Sequence, residues 1–314
     1  MAATLVFIAA AAFLARTIAA TGWRSLWERL AAADPLLVAL SAIAVATRYA
    51  AWGKRWQLLL RPVARAAWWR AQRALLSSVF FYNIIPAGRP AAGLIRARQL
   101  GRGIGQPTAL LYGVVLVDQL GYSVLSLVLS AHAVPVALWP AGSRRHPAAT
   151  VAAAAAASVG ALLLLWWRRE SIARRIRRRI PSAVGTVEAA LGSARLVLSR
   201  ARSYAVILIG GSAAWYGGAL SLFFASRAVG ADLGMGAAAA AWALGSTAGI
   251  VSGSPGGAGV AESAALVPLV AMGIPPDRAI SAILIARLFE YAVGILVGGA
   301  CALAEARPRG GATA

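Results

Sequence analysis

Six stretches of this chain stay apolar for about the length a helix needs to cross a bilayer: Ala2–Ala20, Pro35–Trp52, Thr108–Ala131, Ala148–Trp167, Tyr204–Arg227 and Arg278–Ala304. A hydrocarbon core roughly 30 Å thick takes about 20 helical residues, and a soluble domain has no use for so many such runs. Composition agrees: 60% of the 314 residues are hydrophobic and 13% are charged, with a mean hydropathy of +0.71. An ordinary soluble globule, a disordered chain and a coiled coil are excluded, and the lone cysteine, Cys301, excludes a disulfide scaffold. The chain reads as a polytopic membrane protein. The first run has a second reading as a cleaved signal peptide, since Thr17–Ala20 is rich in small residues. Met1–Thr4 carries no positive charge, however, and Arg16 follows the apolar stretch, so a retained span is preferred.

Two further apolar segments are interrupted. Leu75–Ile85 stops at Pro86-Ala87-Gly88-Arg89-Pro90, and Ala237–Val251 stops at Gly253-Ser254-Pro255-Gly256-Gly257-Ala258-Gly259; short helical stretches, Ala91–Leu100 and Val260–Met272, follow. At ~1.5 Å per residue each limb reaches only part of the way across, which predicts two re-entrant helical hairpins with Gly/Pro tips at depth. Charge sets their direction. The formal net charge is +21, carried by arginines between the apolar runs. This is read as attraction to an anionic leaflet rather than to nucleic acid. Lys54–Arg73 holds six bases and no acid, and Arg168–Arg179 holds seven arginines against Glu170, so both are expected on the cytoplasmic side. That requires the first hairpin, with Arg96, Arg98 and Arg102 on its return limb, to enter from the cytoplasm. The second, flanked by Asp232 and Asp277, enters from outside, and both termini lie inside. Trp23, Trp27, Trp52, Trp56, Trp68, Trp69, Trp139, Trp166 and Trp167 fall near span ends, as an interfacial belt does.

One shift without gaps superposes the hairpins, since 255 − 86 = 169. It places Ser77 on Ser246, Pro86 on Pro255, Gly88 on Gly257, Pro107 on Pro276, Tyr122 on Tyr291 and Leu127 on Leu296. The expected fold is an all-α integral membrane protein of about six spans plus two oppositely inserted hairpins. Repeat one covers about residues 35–131, a cytoplasmic basic loop 168–203, and repeat two 204–304. Inverted repeats with broken helices in matching places point to a transport site near the midplane. The competing reading is ordinary helices kinked or closely packed at Gly and Pro.

At the tips, Pro255, Gly256 and Gly257 leave backbone N–H groups open, ahead of a helix whose positive end could hold an anion such as a lipid phosphate. Gly88 supplies the turn of the first hairpin, and Pro90 suits its first helical position. Charged residues at mid-span are costly unless paired or wetted. Asp118 and Arg287 are two such residues, and 287 − 118 = 169 makes them mates. Asp118, Glu262, Arg287 and Glu290 are therefore expected to line one polar cavity, with Arg287 as candidate phosphate ligand and Glu290 three residues away on its face. A purely structural salt bridge competes with this reading. Arg96 and Arg98 would collect anionic headgroups or simply snorkel. No metal site is read from His132 and His146, no catalytic constellation is found, and no cofactor is implied.

Ser254-Pro-Gly-Gly-Ala-Gly-Val-Ala-Glu262, with Gly259 inside it, then Gly273-Ile-Pro-Pro, Ala279 and Arg287-Leu288, resembles the C-terminal signature of the lysylphosphatidylglycerol synthase transmembrane-region family. Arg55-Trp56, Asn83-Ile-Ile-Pro86 and Arg96 resemble its N-terminal half. The resemblance covers approximately Ala50–Leu303. It departs at Gly93, where relatives often carry an acid, and at Ala261, where they often carry a base. It implies a flippase-like domain that moves lipids between leaflets: aminoacylated phosphatidylglycerol in fused members, and polyprenyl-phosphate-linked sugars or hopanoid-type lipids in stand-alone ones. With the tips and Arg287 read as anion ligands, the expected function is translocation of an anionic phospholipid or a polyprenyl-phosphate-linked lipid across the cell's inner (plasma) membrane. The chain ends at Ala314 without a soluble catalytic domain, so aminoacyl transfer is not expected. The partners implied are the lipid itself, an anionic leaflet under Arg168–Arg179 and a lipid-modifying enzyme. The competing function is a non-transporting subunit that presents lipid to a separate glycosyl- or aminoacyltransferase. An ion channel is disfavoured for want of a carbonyl filter or rings of like charge.

Overall fold

The computed structural model describes residues 12, 15–85, 88–138 and 184–306, and the regular structure among them is helical. The elements are α1 (Trp23–Ala31), α2 (Pro35–Leu60), α3 (Trp68–Ile84), α4 (Gly88–Ile104), α5 (Thr108–Leu138), α6 (Val184–Leu198), α7 (Ala201–Ala228), α8 (Met235–Ser252), a 3-10 turn (Pro255–Gly257), α9 (Val260–Ala271), α10 (Pro276–Tyr291), a π segment (Ala292–Val297) and α11 (Gly298–Ala306). Among the described residues, four helical stretches are long and apolar enough to cross a membrane: Pro35–Leu60, Thr108–Ser130, Ala201–Ala228 and Pro276–Ala306. The expected spans Ala2–Ala20 (for the most part) and Ala148–Trp167 lie outside the described residues. So do Arg168–Arg179, His146, Pro86, Trp139, Trp166, Trp167 and the C-terminal arginines.

Local chemistry sets the helix boundaries. The Asp34 carboxylate accepts from the backbone N–H of Leu36 at 2.8 Å and of Leu37 at 3.2 Å, and Pro35 takes the first helical position of α2. Pro276 does the same for α10, with Asp277 in the first turn beside the positive end of the helix. Gly253, in the left-handed conformation, closes α8. Beyond it Gly256, Gly257 and Gly259 all have positive φ, which only glycine adopts cheaply, so the chain turns within a few residues.

Helices α2 and α7 pack antiparallel. The Ser41 hydroxyl meets Ser221, Gly217 lies against Ala44 and Arg48, and Gly210 lies against Arg55. Helices α3 and α4 fold back on each other: Gln99 Nε2 donates to Ser77 Oγ at 2.8 Å, and Arg70 Nη1 to the Gly103 carbonyl at 3.1 Å. Helices α8 and α9 do likewise, with Gly245 against Ala261 and Gly249 against Gly257.

The structure corrects several sequence expectations. α2 continues eight residues past Trp52 to Leu60, so Lys54 and Arg55 belong to a helix and the loop shrinks to 61–67. The continuation is stable because Trp56, Leu59 and Leu60 pack inward and Arg55 has a buried partner. Trp56 is therefore core rather than belt, while Trp23, Trp27, Trp68 and Trp69 are exposed. The segment expected as basic loop 168–203 contains helix α6, held against α5 where Gly113 meets the Ala190 carbonyl.

Candidate functional site

A cavity of about 120 Å³ opens among α2–α5 and α7–α10, enough for on the order of ten waters. Its charged lining residues are Arg48, Arg89, Arg96, Arg287, Glu262 and Glu290, four bases against two acids.

Arg287, on α10, is the most connected of these. Its Nε donates to Glu262 Oε1 at 2.6 Å and its Nη1 to Glu290 Oε2 at 2.6 Å, while Nη2 donates to the Gly256 carbonyl at 2.9 Å and the Tyr291 hydroxyl at 2.8 Å. Four of its five N–H groups are thus committed. The Tyr291 hydroxyl in turn donates to Glu262 Oε1 at 3.3 Å, and the guanidinium lies 4.6 Å over the Tyr291 ring. Arg48 of α2 reaches across to Glu290 Oε1 and stacks on Trp242 at 4.9 Å. The expected pairing of Arg287 with Glu290 is present, and Glu262 and the Gly256 tip join it. Gly257 packs on Gly249, Pro255 opens the 3-10 turn and Gly259 precedes α9, so these shape the tip rather than line the cavity.

Asp118 is not among the cavity lining, which corrects the expectation of a single four-member cluster. It is fully buried on α5 and accepts from Arg55 Nε at 2.7 Å, from both terminal nitrogens of Arg96 at 3.2 Å and from Trp52 Nε1 at 3.0 Å. Arg96 neither snorkels nor sits at a surface: it is 1% exposed, whereas Arg98 and Arg102 of the same limb are exposed. The reason is electrostatic. Two guanidiniums share one carboxylate away from water, and the excess positive charge is offset by aromatic faces. Arg55 lies 4.8 Å from the Tyr122 ring and Arg96 4.6 Å from that of Trp56.

Asn83 lines the cavity near the end of α3 and donates from Nδ2 to the Val79 carbonyl at 3.0 Å. Its carboxamide abuts Gly256, so the second hairpin's tip meets the first hairpin. Gly88 begins α4. Sequence reasoning missed Arg48, Tyr82, Arg89, Gln119 and Trp242 as lining residues. Arg48 was findable, since a base inside the run Pro35–Trp52 is as costly as Asp118 in its own. No group of three or more His, Cys, Asp or Glu is placed to hold a metal ion among the described residues.

Fold and site together define an integral membrane protein, helical in its described regular structure, with a charge-lined internal cavity. A search of the curated proteins found no match. The family model described as "Lysylphosphatidylglycerol synthase TM region" matches residues 1–298, and the chain belongs to that family.

Proposed function

We propose that the protein moves a lipid with an anionic headgroup, an anionic phospholipid or a polyprenyl-phosphate-linked lipid, between leaflets of the plasma membrane. One observation carries the reading: an internal cavity in which arginines outnumber carboxylates four to two, set among helices long and apolar enough to cross a membrane. An unbalanced buried cation is expensive in hydrocarbon, and a headgroup phosphate would balance it.

The arrangement of the halves supports a moving site. Shifted by 169 residues, the starts of α2, α3, α4 and α5 fall at 204, 237, 257 and 277, against observed starts of 201, 235, 260 and 276 for α7, α8, α9 and α10. The corresponding helices α2 and α7 run antiparallel, which is the relation an inverted repeat requires. On this reading α3–α4 and α8–α9 are hairpins dipping in from opposite faces, and the six-span topology places both termini in the cytoplasm. Opening the halves alternately exposes the cavity to each leaflet while the acyl chains remain in lipid. The protein acts as a transporter, without aminoacyl transfer of its own.

Purified protein in phosphatidylcholine vesicles with trace fluorescent phosphatidylglycerol tests this. Dithionite added outside should bleach the inner-leaflet probe only in vesicles that carry the protein. Bleaching limited to the outer leaflet, for this probe and for a polyprenyl-phosphate probe, removes the translocation reading and leaves a subunit that presents lipid to another enzyme.

A further inference from the structure

The anion seat in the cavity does not have to be Arg287. That guanidinium is held by Glu262, Glu290, the Gly256 carbonyl and Tyr291, and the charge of Arg48 is paired with Glu290, so an incoming anion would compete with a carboxylate already in place at either residue. The cavity-lining guanidinium without a carboxylate partner lies on α4. Among the described residues Arg89 has no carboxylate partner, and its one side-chain hydrogen bond is long, 3.5 Å from Nη1 to Ser123 Oγ. Arg96 uses both terminal nitrogens on Asp118, yet its buried Nε has no partner.

Both residues line the cavity, and they share a helix face. Seven residues apart on α4, they lie nearly in line and about 10 Å from each other along the axis. Between them on that face stand Ala92, which also lines the cavity, and Gly93, so no large side chain fills the interval. Gln119 of α5 fixes the upper end, donating from Nε2 to the Arg89 carbonyl at 3.2 Å, and Tyr82 and Tyr122 line the same cavity. Arg89 is also the second residue of α4, where the helix dipole adds positive potential.

We infer that Arg89 and Arg96 form the phosphate seat of the cavity, binding one phosphate group between them, whereas Arg287 is a structural cation locked by its own carboxylates. The assignment rests on the translocation reading and names the site within it. The shared chemistry is a phosphate mono- or diester, whether a lipid headgroup or free phosphate.

Equilibrium binding in detergent tests the seat, with dioctanoyl phosphatidylglycerol as probe and dioctanoylglycerol as its phosphate-free control. Arg89→Gln is the informative variant, because no ion pair is broken by it. It should weaken binding of the phosphatidylglycerol by about tenfold or more, the loss of one charge-assisted contact, and leave dioctanoylglycerol binding unchanged. Arg89→Lys should recover part of the loss; a merely structural role for Arg89 would move the melting temperature and not this difference between probes. Displacement of the lipid by inorganic phosphate in the unaltered protein, reduced in Arg89→Gln, assigns the seat to phosphate from either source; displacement by the short-chain lipid alone assigns it to the headgroup. Unchanged phosphatidylglycerol binding in Arg89→Gln overturns the inference. If the unaltered protein still exchanges lipid between leaflets, translocation survives that result; if it neither binds nor exchanges the lipid, both readings fall.

Discussion

Asp118 and Arg287 stand at matching places on α5 and α10, the eleventh and twelfth residues of their helices, and each anchors an ion cluster of the opposite sign. Asp118 gathers Arg55 and Arg96 for a formal charge of +1, and Arg287 gathers Glu262 and Glu290 for −1. Arg48 then crosses from α2 to Glu290 and cancels the second cluster. With Arg89 added, what remains around the cavity is positive, so the site's preference is set by arginines outside the second cluster. Each half carries its own buried lock, and the two locks are not interchangeable.

Asp118→Asn should be among the most damaging single changes. It keeps the shape of the side chain but leaves Arg55 and Arg96, 2% and 1% exposed, without a counter-charge. Breaking one side of a buried pair costs about 3–5 kcal/mol. The outer pair between Arg29 and Asp277 is partly exposed, with side chains 42% and 20% accessible, so Asp277→Asn should cost no more than about 1 kcal/mol. Melting temperatures of the two variants in the same detergent make the comparison. Equal losses would mean that the Asp118 cluster does not hold α2, α4 and α5 together.

Arg287→Lys should not rescue the site despite keeping the charge. The guanidinium serves partners on three elements at once: Glu262 on α9, the Gly256 carbonyl at the hairpin tip, and Glu290 on its own helix. An ammonium has three donors on a single atom and cannot span that fan. Hydrogen exchange should report faster opening of the Pro255–Gly257 turn and the start of α9 in the variant, with α3–α4 unaffected. Protection at the tip equal to that of the unaltered protein would show that the turn's glycine geometry suffices without the arginine.

What the sequence made legible follows from local signals. The apolar runs at Pro35, Thr108, Tyr204 and Arg278 and the Gly/Pro interruptions need no knowledge of distant contacts, and most of the helix ends they mark fall within a few residues of the observed ones, the larger misses being the ends at Trp52 and Ala131 and the start at Leu75. The depth of Asp118 and Arg287 also marked them, because an ionised group in a long apolar run must have a partner. Which partner was beyond reach. Arg55 reads as one of six bases in a surface run until Asp118, 63 residues on, is seen to hold it inside. Glu290 has one partner on its own helix, which spacing predicted, and another, Arg48, 242 residues away, which it could not. Pairings of that range depend on how the helices cross, and the hydropathy pattern of a helix buried on many sides carries little information about crossing.

A stabilising change is expected at Gly192. It lies inside α6, exposed, with ordinary helical φ and nothing within 4 Å of where a Cβ would stand. Alanine there should raise stability by about 0.5–1 kcal/mol, by restricting the unfolded chain and favouring the helix. Gly113→Ala serves as the contrast, since its Cβ would collide with the Ala190 carbonyl and Ser193 and force α5 from α6. Opposite shifts in melting temperature are expected, and a loss at both positions would mean that α6 packs more tightly along Gly192 than its open surroundings indicate.

The junction of the two hairpins gives the sharpest test of the fold. Gly256 has φ of +59°, and the Asn83 carboxamide oxygen occupies the space a Cβ would need. Gly256→Ala therefore has two separable costs: about 1–2 kcal/mol for a left-handed alanine and about 1–3 kcal/mol for overpacking against Asn83. Asn83→Ala should cost little by itself, because the side chain's one hydrogen bond is local, to the Val79 carbonyl four residues back. In the double variant the steric cost disappears and the conformational cost remains, so the two changes together should destabilise less than the sum of the singles, by about 1–3 kcal/mol. Strict additivity would mean that the tip of α8–α9 and the end of α3 do not touch.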